Sequence, residues 1–273
     1  MILHPEHLFK FKPIQTYKQL KWFLDIINKR QLYYPKPSEL NDPMEANSVY
    51  YSLAIAGSGN VFEGGKTHSV IVDRQEEFRI MSFSTNPCSP LMWAHYSNEF
   101  KGCCLVFSTE KAFVDVEPVI YSYNHFYYGA ESPTDELYDA IHESFLFKNA
   151  DWSYENEWRL IRRQDENIVH FDDELIGVII GNKLKPSYKR RIIKCCDSCG
   201  IACFLTYVMN AKNCIQFIPA ELDYDYYTPL QICEYMRKKE KEGKCRSNEF
   251  ELFLDLNDEL SKYWLLACDI ENE

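Results

Sequence analysis

The stretch Gly102-Cys103-Cys104-Leu105-Val106-Phe107 is the segment that best defines the fold of this chain. It is apolar throughout, without the alternation of polar and apolar residues seen in strands that face water on one side. A strand of this kind is covered on both faces, so the segment predicts a central strand of a sheet. The stretch from Leu175 to Ile180 has the same character and predicts a second buried strand.

Helices surround these strands. Apolar residues recur at helical spacing between Thr16 and Arg30, which predicts an amphipathic helix. The segment from Pro186 to Cys199 predicts another helix, which ends at Gly200. We therefore predict an α+β fold, with a mixed, split β-sheet core and helical insertions. An α+β core domain is predicted over residues 1–221, and a helical C-terminal extension over 222–273.

The composition limits the binding partners and the cellular location that we expect for this protein. The formal net charge of −11 repels nucleic acid and anionic membranes at long range, so we expect neither, although a local basic groove stays compatible with it. No stretch approaches the ~18 apolar residues of a membrane span, and no secretory signal is visible, so we expect a cytoplasmic protein. We interpret the densest basic stretch as a solvated helix face; it comprises Lys183, Lys185, Lys189, Arg190, Arg191 and Lys194.

The chain has 11 cysteines, of which Cys196 and Cys199 form a C-x-x-C motif. A structural zinc site usually needs a second pair of ligands at comparable spacing, and Cys214 is isolated. Reduced cysteines otherwise behave as small apolar residues. We therefore favour core packing over zinc for this cluster, and we expect no metal.

Four separate motifs together carry a family resemblance. The motifs are Leu40–Glu45, Phe83-Ser84 with Met92–Tyr96, Lys101–Leu105 and Trp152–Arg159. In their order and spacing they resemble domain-of-unknown-function family 2971, which is found in bacteria and mobile elements. The resemblance covers about the first 180–210 residues and implies no assigned activity.

The order of elements is also similar to the ADP-ribosyltransferase fold. That resemblance implies an enzyme of a bacterial toxin or phage-defence setting that uses NAD as substrate, either to transfer ADP-ribose or to hydrolyse NAD. It implies Glu157 as the catalytic carboxylate, with Glu155 beside it. It places Ser84 at the end of a strand and Tyr96 on a short helix. Lys10 stands where the fold usually has histidine or arginine, which is a departure from the pattern.

The chemistry of this reaction suits these residue types. Breaking the nicotinamide–ribose bond builds positive charge on the ribose, and a fixed carboxylate stabilises it. Alternation over Tyr154 to Arg163 predicts a strand, on which Glu155, Glu157 and Arg159 share one face. We expect Glu157 to serve the ribose and Glu155 the acceptor, which these motifs do not identify.

The remaining candidates line the expected dinucleotide pocket. Tyr96 is predicted to be catalytic by stacking on nicotinamide. The residues predicted to bind the cofactor are Lys10, Ser84, Trp93 and His95.

Simpler interpretations stay open beside this one. The three charged residues Glu155, Glu157 and Arg159 fit a solvated strand face with ion pairs. Trp93 and Tyr96 fit helix core positions, and Lys10 fits the outward position of an alternating strand. The alternative function is a non-catalytic binding or sensor module in a bacterial toxin or phage-defence setting.

Overall fold

The computed structural model describes residues 4–40, 74–123, 135–209, 214–222, 228–246 and 248–257. The chain divides into two compact units. Unit 1 contains residues 1–31, 86–109 and 171–273, and unit 2 contains residues 32–85 and 110–170. Helices and strands alternate irregularly along the chain, which confirms the α+β class. The predicted boundary between residues 221 and 222 does not separate these units and stays a prediction.

The elements in chain order are β1 (His7–Pro13), α1 (Tyr17–Lys29), β2 (Gln31–Tyr33), β3 (Phe78–Ser84), α2 (Pro90–Tyr96), β4 (Gly102–Ser108), β5 (Glu117–Pro118), β6 (Ile120–Ser122), α3 (Asp135–Ser144), β7 (Phe147–Asn149), β8 (Glu157–Arg163), β9 (Ile168–His170), β10 (Leu175–Ile180), α4 (Pro186–Cys199), β11 (Ala202–Met209), β12 (Cys214–Pro219), α5 (Pro229–Lys241) and α6 (Glu249–Leu256). Short 3-10 helices lie at Pro37–Glu39, Lys111–Phe113 and Ala150–Glu155.

The sheet of unit 1 has the strand order β12-β11-β10-β4-β1. Strands β10 and β11 are parallel, whereas the other neighbouring pairs are antiparallel, so the sheet is mixed. The predicted central strand is β4, which lies between β1 and β10 and is buried from Gly102 to Phe107. The uniformly apolar sequence therefore identified its position correctly.

Two helices pack side by side in unit 1. Helix α1 begins at a capping box formed by Thr16 and Gln19, and it buries its apolar stripe in the core. Helix α4 ends at Gly200, whose φ of 69° is in the left-handed region that glycine adopts at low cost. Asn28 of α1 contacts α4, because its Oδ1 accepts hydrogen bonds from the thiols of Cys195 and Cys199.

The C-terminal helix α6 also packs within unit 1. The ring of Phe253 stacks on Phe204 of β11 with centroids 6.5 Å apart. Asn257, just after α6, binds both backbone groups of Phe217 in β12, with distances of 2.8 and 3.0 Å. No helix in the described parts of the chain has the length and apolarity needed to cross a membrane.

Unit 2 is built on β8, which pairs antiparallel with β3 on one side and β5 on the other. Strands β6 and β7 form a separate parallel pair. Helix α3 closes an apolar cluster against β3 and β8, in which the Phe145 and Phe78 rings meet edge to face at 5.5 Å. The buried members of this cluster are Phe78, Ile80, Ile141, Phe145 and Ile161.

The predicted strand from Tyr154 to Arg163 is wrong over its first three residues. Tyr154 and Glu155 end a 3-10 helix, and β8 begins only at Glu157. Asn156 between them has a φ of 45°, which interrupts the extended conformation. Glu155 and Glu157 therefore do not share a face by strand alternation.

Several expectations lie outside the described residues. These are the family motif Leu40–Glu45 beyond Leu40 and the part of the predicted helical C-terminal extension beyond Asn257.

Candidate functional site

The predicted site residues divide between the two units. Unit 2 contains Ser84, Glu155 and Glu157, and unit 1 contains Lys10, Trp93, His95 and Tyr96. The three residues of unit 2 lie close together, and the candidate site is therefore described around them.

Backbone pairing places Glu157 and Ser84 opposite each other. Glu157 is the first residue of β8, Ser84 is the last residue of β3, and the two are register partners. The Ser84 hydroxyl donates a hydrogen bond of 2.6 Å to the Glu155 carbonyl oxygen. The end of β3 thus fixes the 3-10 turn that leads into β8.

Four charged side chains, which we call the buried charge cluster, surround this point: Lys148, Glu155, Glu157 and Arg159. Lys148 Nζ lies 2.5 Å from Glu155 Oε2 and 2.9 Å from Glu157 Oε2. Arg159 approaches both oxygens of Glu157, with Nε 2.8 Å from Oε1 and Nη2 3.0 Å from Oε2. Arg159 Nη1 also donates to the Phe145 carbonyl oxygen at 2.5 Å.

The cluster is removed from water. The side chains of Lys148, Glu155, Glu157 and Arg159 are 3%, 5%, 4% and 1% exposed. The interpretation of Glu155, Glu157 and Arg159 as a solvated strand face is therefore wrong. Burying an isolated charge costs several kcal/mol, so two acids and two bases in direct contact explain how these charges are retained inside the protein.

The carboxylate of Glu157 is strongly held in its charged form. Burial alone would raise its pKa, but the charge and hydrogen bonds of Arg159, the charge of Lys148 and a hydrogen bond from Ser82 outweigh this effect. The result is a pKa lowered to about 2. Glu157 is consequently an anion at neutral pH, as stabilisation of positive charge requires.

Tyr121 of β6 completes the surroundings of Glu157. Its phenolic oxygen accepts a hydrogen bond of 2.8 Å from the Glu157 backbone N–H. Burial raises the pKa of Tyr121 to about 12, and the nearby charges of Glu157 and Glu155 add to the rise. The phenol thus stays protonated and keeps a donor beside the cluster.

Sequence reasoning missed Lys148 and Tyr121. Both lie on the short parallel pair β6 and β7, where they are register partners. Lys148 follows directly after Phe145-Leu146-Phe147, and a lysine next to such an apolar stretch is unusual in a strand. This was the one signal in the sequence that could have identified it. Its partners are seven and nine residues away, with a 3-10 turn between, so no periodicity connects them.

The candidates of unit 1 occupy different environments. Trp93 is fully buried, and its Nε1 donates a 2.7 Å hydrogen bond to the Pro87 carbonyl oxygen. Its ring packs edge to face on Phe11 at 5.2 Å, which is the core role left open by the sequence. Lys10 and Tyr96 are half-buried, and His95 is exposed at the end of α2.

Among the described residues, the buried thiols of Cys103 and Cys104 and one group of potential metal ligands lie in unit 1. Burial raises the pKa of Cys103 and Cys104 well above the ordinary value, so neither is an activated nucleophile. Within the described ranges, the group that brings together three potential ligands is Glu6, His7 and Asp255, whose ligand atoms lie within 4.8 Å of one another. Glu6 and Asp255 are exposed, and exposed acidic groups often lie together without an ion.

The fold and the site define an α+β protein with a buried, charge-neutral cluster of two acids and two bases in unit 2. The family model described as "Protein of unknown function (DUF2971)" matches residues 92–160, and this confirms the predicted resemblance over that range. The matched segment contains all four residues of the buried charge cluster. No curated protein and no solved structure matches the chain.

Proposed function

We propose that this protein consumes NAD, either by transferring ADP-ribose to an acceptor or by hydrolysing the nicotinamide–ribose bond. The observation that carries the proposal is the Glu157 carboxylate, which is buried, ionised and opposite Ser84 at the strand end. A carboxylate of this kind stabilises positive charge most strongly where water is excluded.

The roles follow from the contacts in unit 2. Glu157 stabilises the ribose cation as the bond to nicotinamide breaks. Tyr121, which is protonated and hydrogen-bonded to the Glu157 backbone, offers a donor to a ribose hydroxyl. Lys148 and Arg159 hold the Glu157 carboxylate in one orientation and keep it charged.

A second candidate rests on the same cluster. Both carboxylate oxygens of Glu157 already accept bonds from Lys148 and Arg159, and its side chain is 4% exposed. This arrangement favours a structural role, in which the cluster fixes the turn between β7 and β8 in a non-catalytic binding or sensor module. The two functions differ in whether NAD is turned over.

Nicotinamide release from NAD by the 273-residue chain tests the proposal. We expect release by the wild type and a loss of at least about 10²-fold in Glu157→Gln, which keeps the size of the side chain and removes its charge. Glu251→Gln, an exposed position on α6, is the matched control and should retain full activity.

Folding must be separated from catalysis, because Glu157 is buried. Circular dichroism and a thermal melt of each variant establish whether Glu157→Gln is folded. Nicotinamide release by Tyr121→Phe is a second test, because this change removes the hydroxyl donor and leaves the ring in place. If the wild type releases no nicotinamide and binds no NAD by calorimetry, the transferase proposal fails and the binding module becomes the better account.

A further inference from the structure

Helices α1 and α4 of unit 1 present a common outward surface, which we call the α1–α4 face. The helices are in contact through Asn28 and the two thiols at one end and through Tyr17 and Arg191 at the other. The exposed residues that define this face are Tyr17, Lys18, Lys21 and Trp22 on α1, and Arg190, Arg191 and Lys194 on α4.

The charge of these helices is opposite to that of the whole chain. Together they contain seven basic and two acidic residues, within a protein of formal net charge −11. Both acids already have cationic partners: Asp25 lies 3.3 Å from Lys29, and Asp197 pairs with Arg246. The α1–α4 face is therefore a local positive patch on an acidic protein, and its field attracts polyanions at short range.

Two aromatic rings are exposed among these cations. Tyr17 is 58% exposed and Trp22 is 55% exposed, which is unusual for residues of this size. Lys18 Nζ lies 4.7 Å from the Trp22 ring centroid, and the Arg191 guanidinium lies 5.3 Å from that of Tyr17. Each ring thus has a cation beside it.

The buried side of α1 distinguishes between possible polyanions. Leu20, Phe23 and Ile27 form its apolar stripe, and all three are in the core of unit 1. An amphipathic helix that binds a membrane inserts that apolar stripe into the lipid. This stripe is already covered by the core. The exposed side of α1 therefore presents cations and separate aromatic rings, and it has no continuous apolar surface to insert into lipid.

We propose that the α1–α4 face binds single-stranded nucleic acid. Lysine and arginine side chains neutralise phosphates along the backbone, and bases stack on Trp22 and Tyr17. Aromatic stacking tolerates any base, so binding depends on strand length and salt more than on sequence. The proposal is independent of NAD chemistry, since it uses residues of unit 1 alone.

The test is fluorescence anisotropy of labelled oligothymidylate and oligouridylate with the 273-residue chain. Probes of about 20 nucleotides exceed the ~4–16 nucleotides that a single-strand-binding domain usually covers. We expect binding that weakens with salt, with a slope of about −0.7 in log K against log salt for each neutralised phosphate. Binding of either probe supports the proposal, because both share the phosphodiester backbone.

Charge reversal identifies the surface. We expect Arg190→Glu with Lys194→Glu to weaken binding by at least about tenfold and to reduce the magnitude of the salt slope by about 1.4. Lys238→Glu with Lys241→Glu on α5 makes the same change in net charge at exposed positions elsewhere, and should have a much smaller effect. Equal weakening by both pairs would show a general charge effect and overturn the assignment to this face.

A separate variant tests stacking. Trp22→Ala should weaken binding by about tenfold with an unchanged salt slope, because it removes a stacking platform and no charge. Absence of binding to both probes at low salt refutes the proposal. Binding to vesicles of anionic lipid, without binding to the oligonucleotides, assigns the face to a membrane and refutes it as well.

Discussion

Replacing Lys148 by methionine tests whether the buried charge cluster is an interdependent unit. Methionine has a similar length and no charge, so the change removes the ammonium group that lies 2.5 Å from Glu155 and 2.9 Å from Glu157. Two buried carboxylates then face each other with Arg159 as the cation among the cluster residues. We expect a loss of stability far greater than that of a surface lysine.

Two routes give the size of the effect. Removing one partner of a buried ion pair typically costs about 3–5 kcal/mol, because the remaining charge stays buried. The pKa of Glu157 lies at about 2 against an ordinary value of 4.5, and about 1.4 kcal/mol per unit gives on the order of 3 kcal/mol for its interactions with Arg159, Lys148 and Ser82 together, of which Arg159 supplies the largest part and Lys148 a smaller one. Both fall well within the total stability of about 5–15 kcal/mol, so the variant is measurably weaker or unfolded.

The stability lost in Lys148→Met should vary with pH, whereas the loss from a simple packing defect should not. In the wild type the folded pKa of Glu157 is lowered, so its contribution is complete above pH 4.5 and is lost as the pH falls towards 2. In Lys148→Met the carboxylates lose this support and take up a proton more easily when folded. The difference between variant and wild type should therefore be largest near pH 7 and shrink towards about pH 4.

Urea denaturation followed by circular dichroism at several pH values measures both quantities. Lys241→Met on the surface of α5 is the matched control, with an expected change within about 0.5 kcal/mol. A loss below about 1 kcal/mol for Lys148→Met, or one that does not vary with pH, would refute the view that these charges depend on one another.

Three further outcomes are expected elsewhere in the chain. Phe145→Ala should lower the stability of unit 2 by about 3–5 kcal/mol, because it leaves a cavity beside the Phe78 ring; a conservative Phe145→Leu change should cost less in the same melt. Gly102→Ala should destabilise unit 1 by about 1–3 kcal/mol, since a Cβ there would lie 2.2 Å from the Lys12 carbonyl oxygen, and an unchanged melting temperature would contradict this. Iodoacetamide should label exposed Cys88 long before buried Cys103, whose pKa is raised by burial, as peptide mass spectrometry can show.

The parts of the fold that the sequence predicted are those governed by local pattern. The apolar run of β4 and the glycine after α4 each have one dominant physical cause, and both predictions are confirmed. The α+β class followed from the same patterns. Periodicity and end signals were sufficient, because they depend on residues that are near one another in the chain.

The candidate site depended on information that the local pattern does not contain. Alternation suggested that Glu155 and Glu157 share a strand face, yet Asn156 adopts a left-handed conformation between them. Lys148 still reaches both carboxylates, because the 3-10 helix at Ala150–Glu155 turns the chain back. Burial of four charges also runs against composition, since such residues are almost always at the surface unless they are paired.

The strand order of unit 1 has a consequence for synthesis on the ribosome. Strand β1 pairs with β4, and their partners are about 90–100 residues apart. At a translation rate of about 5–20 residues per second, β1 waits about 5–20 s before β4 has been made. During this interval Leu8, Phe9 and Phe11, which are buried in the folded protein, lack their partner strand β4, so the nascent chain offers a target for chaperones. Refolding of the complete chain from denaturant has no such delay, and the yield from that route should therefore be less sensitive to chaperones than the yield of translation.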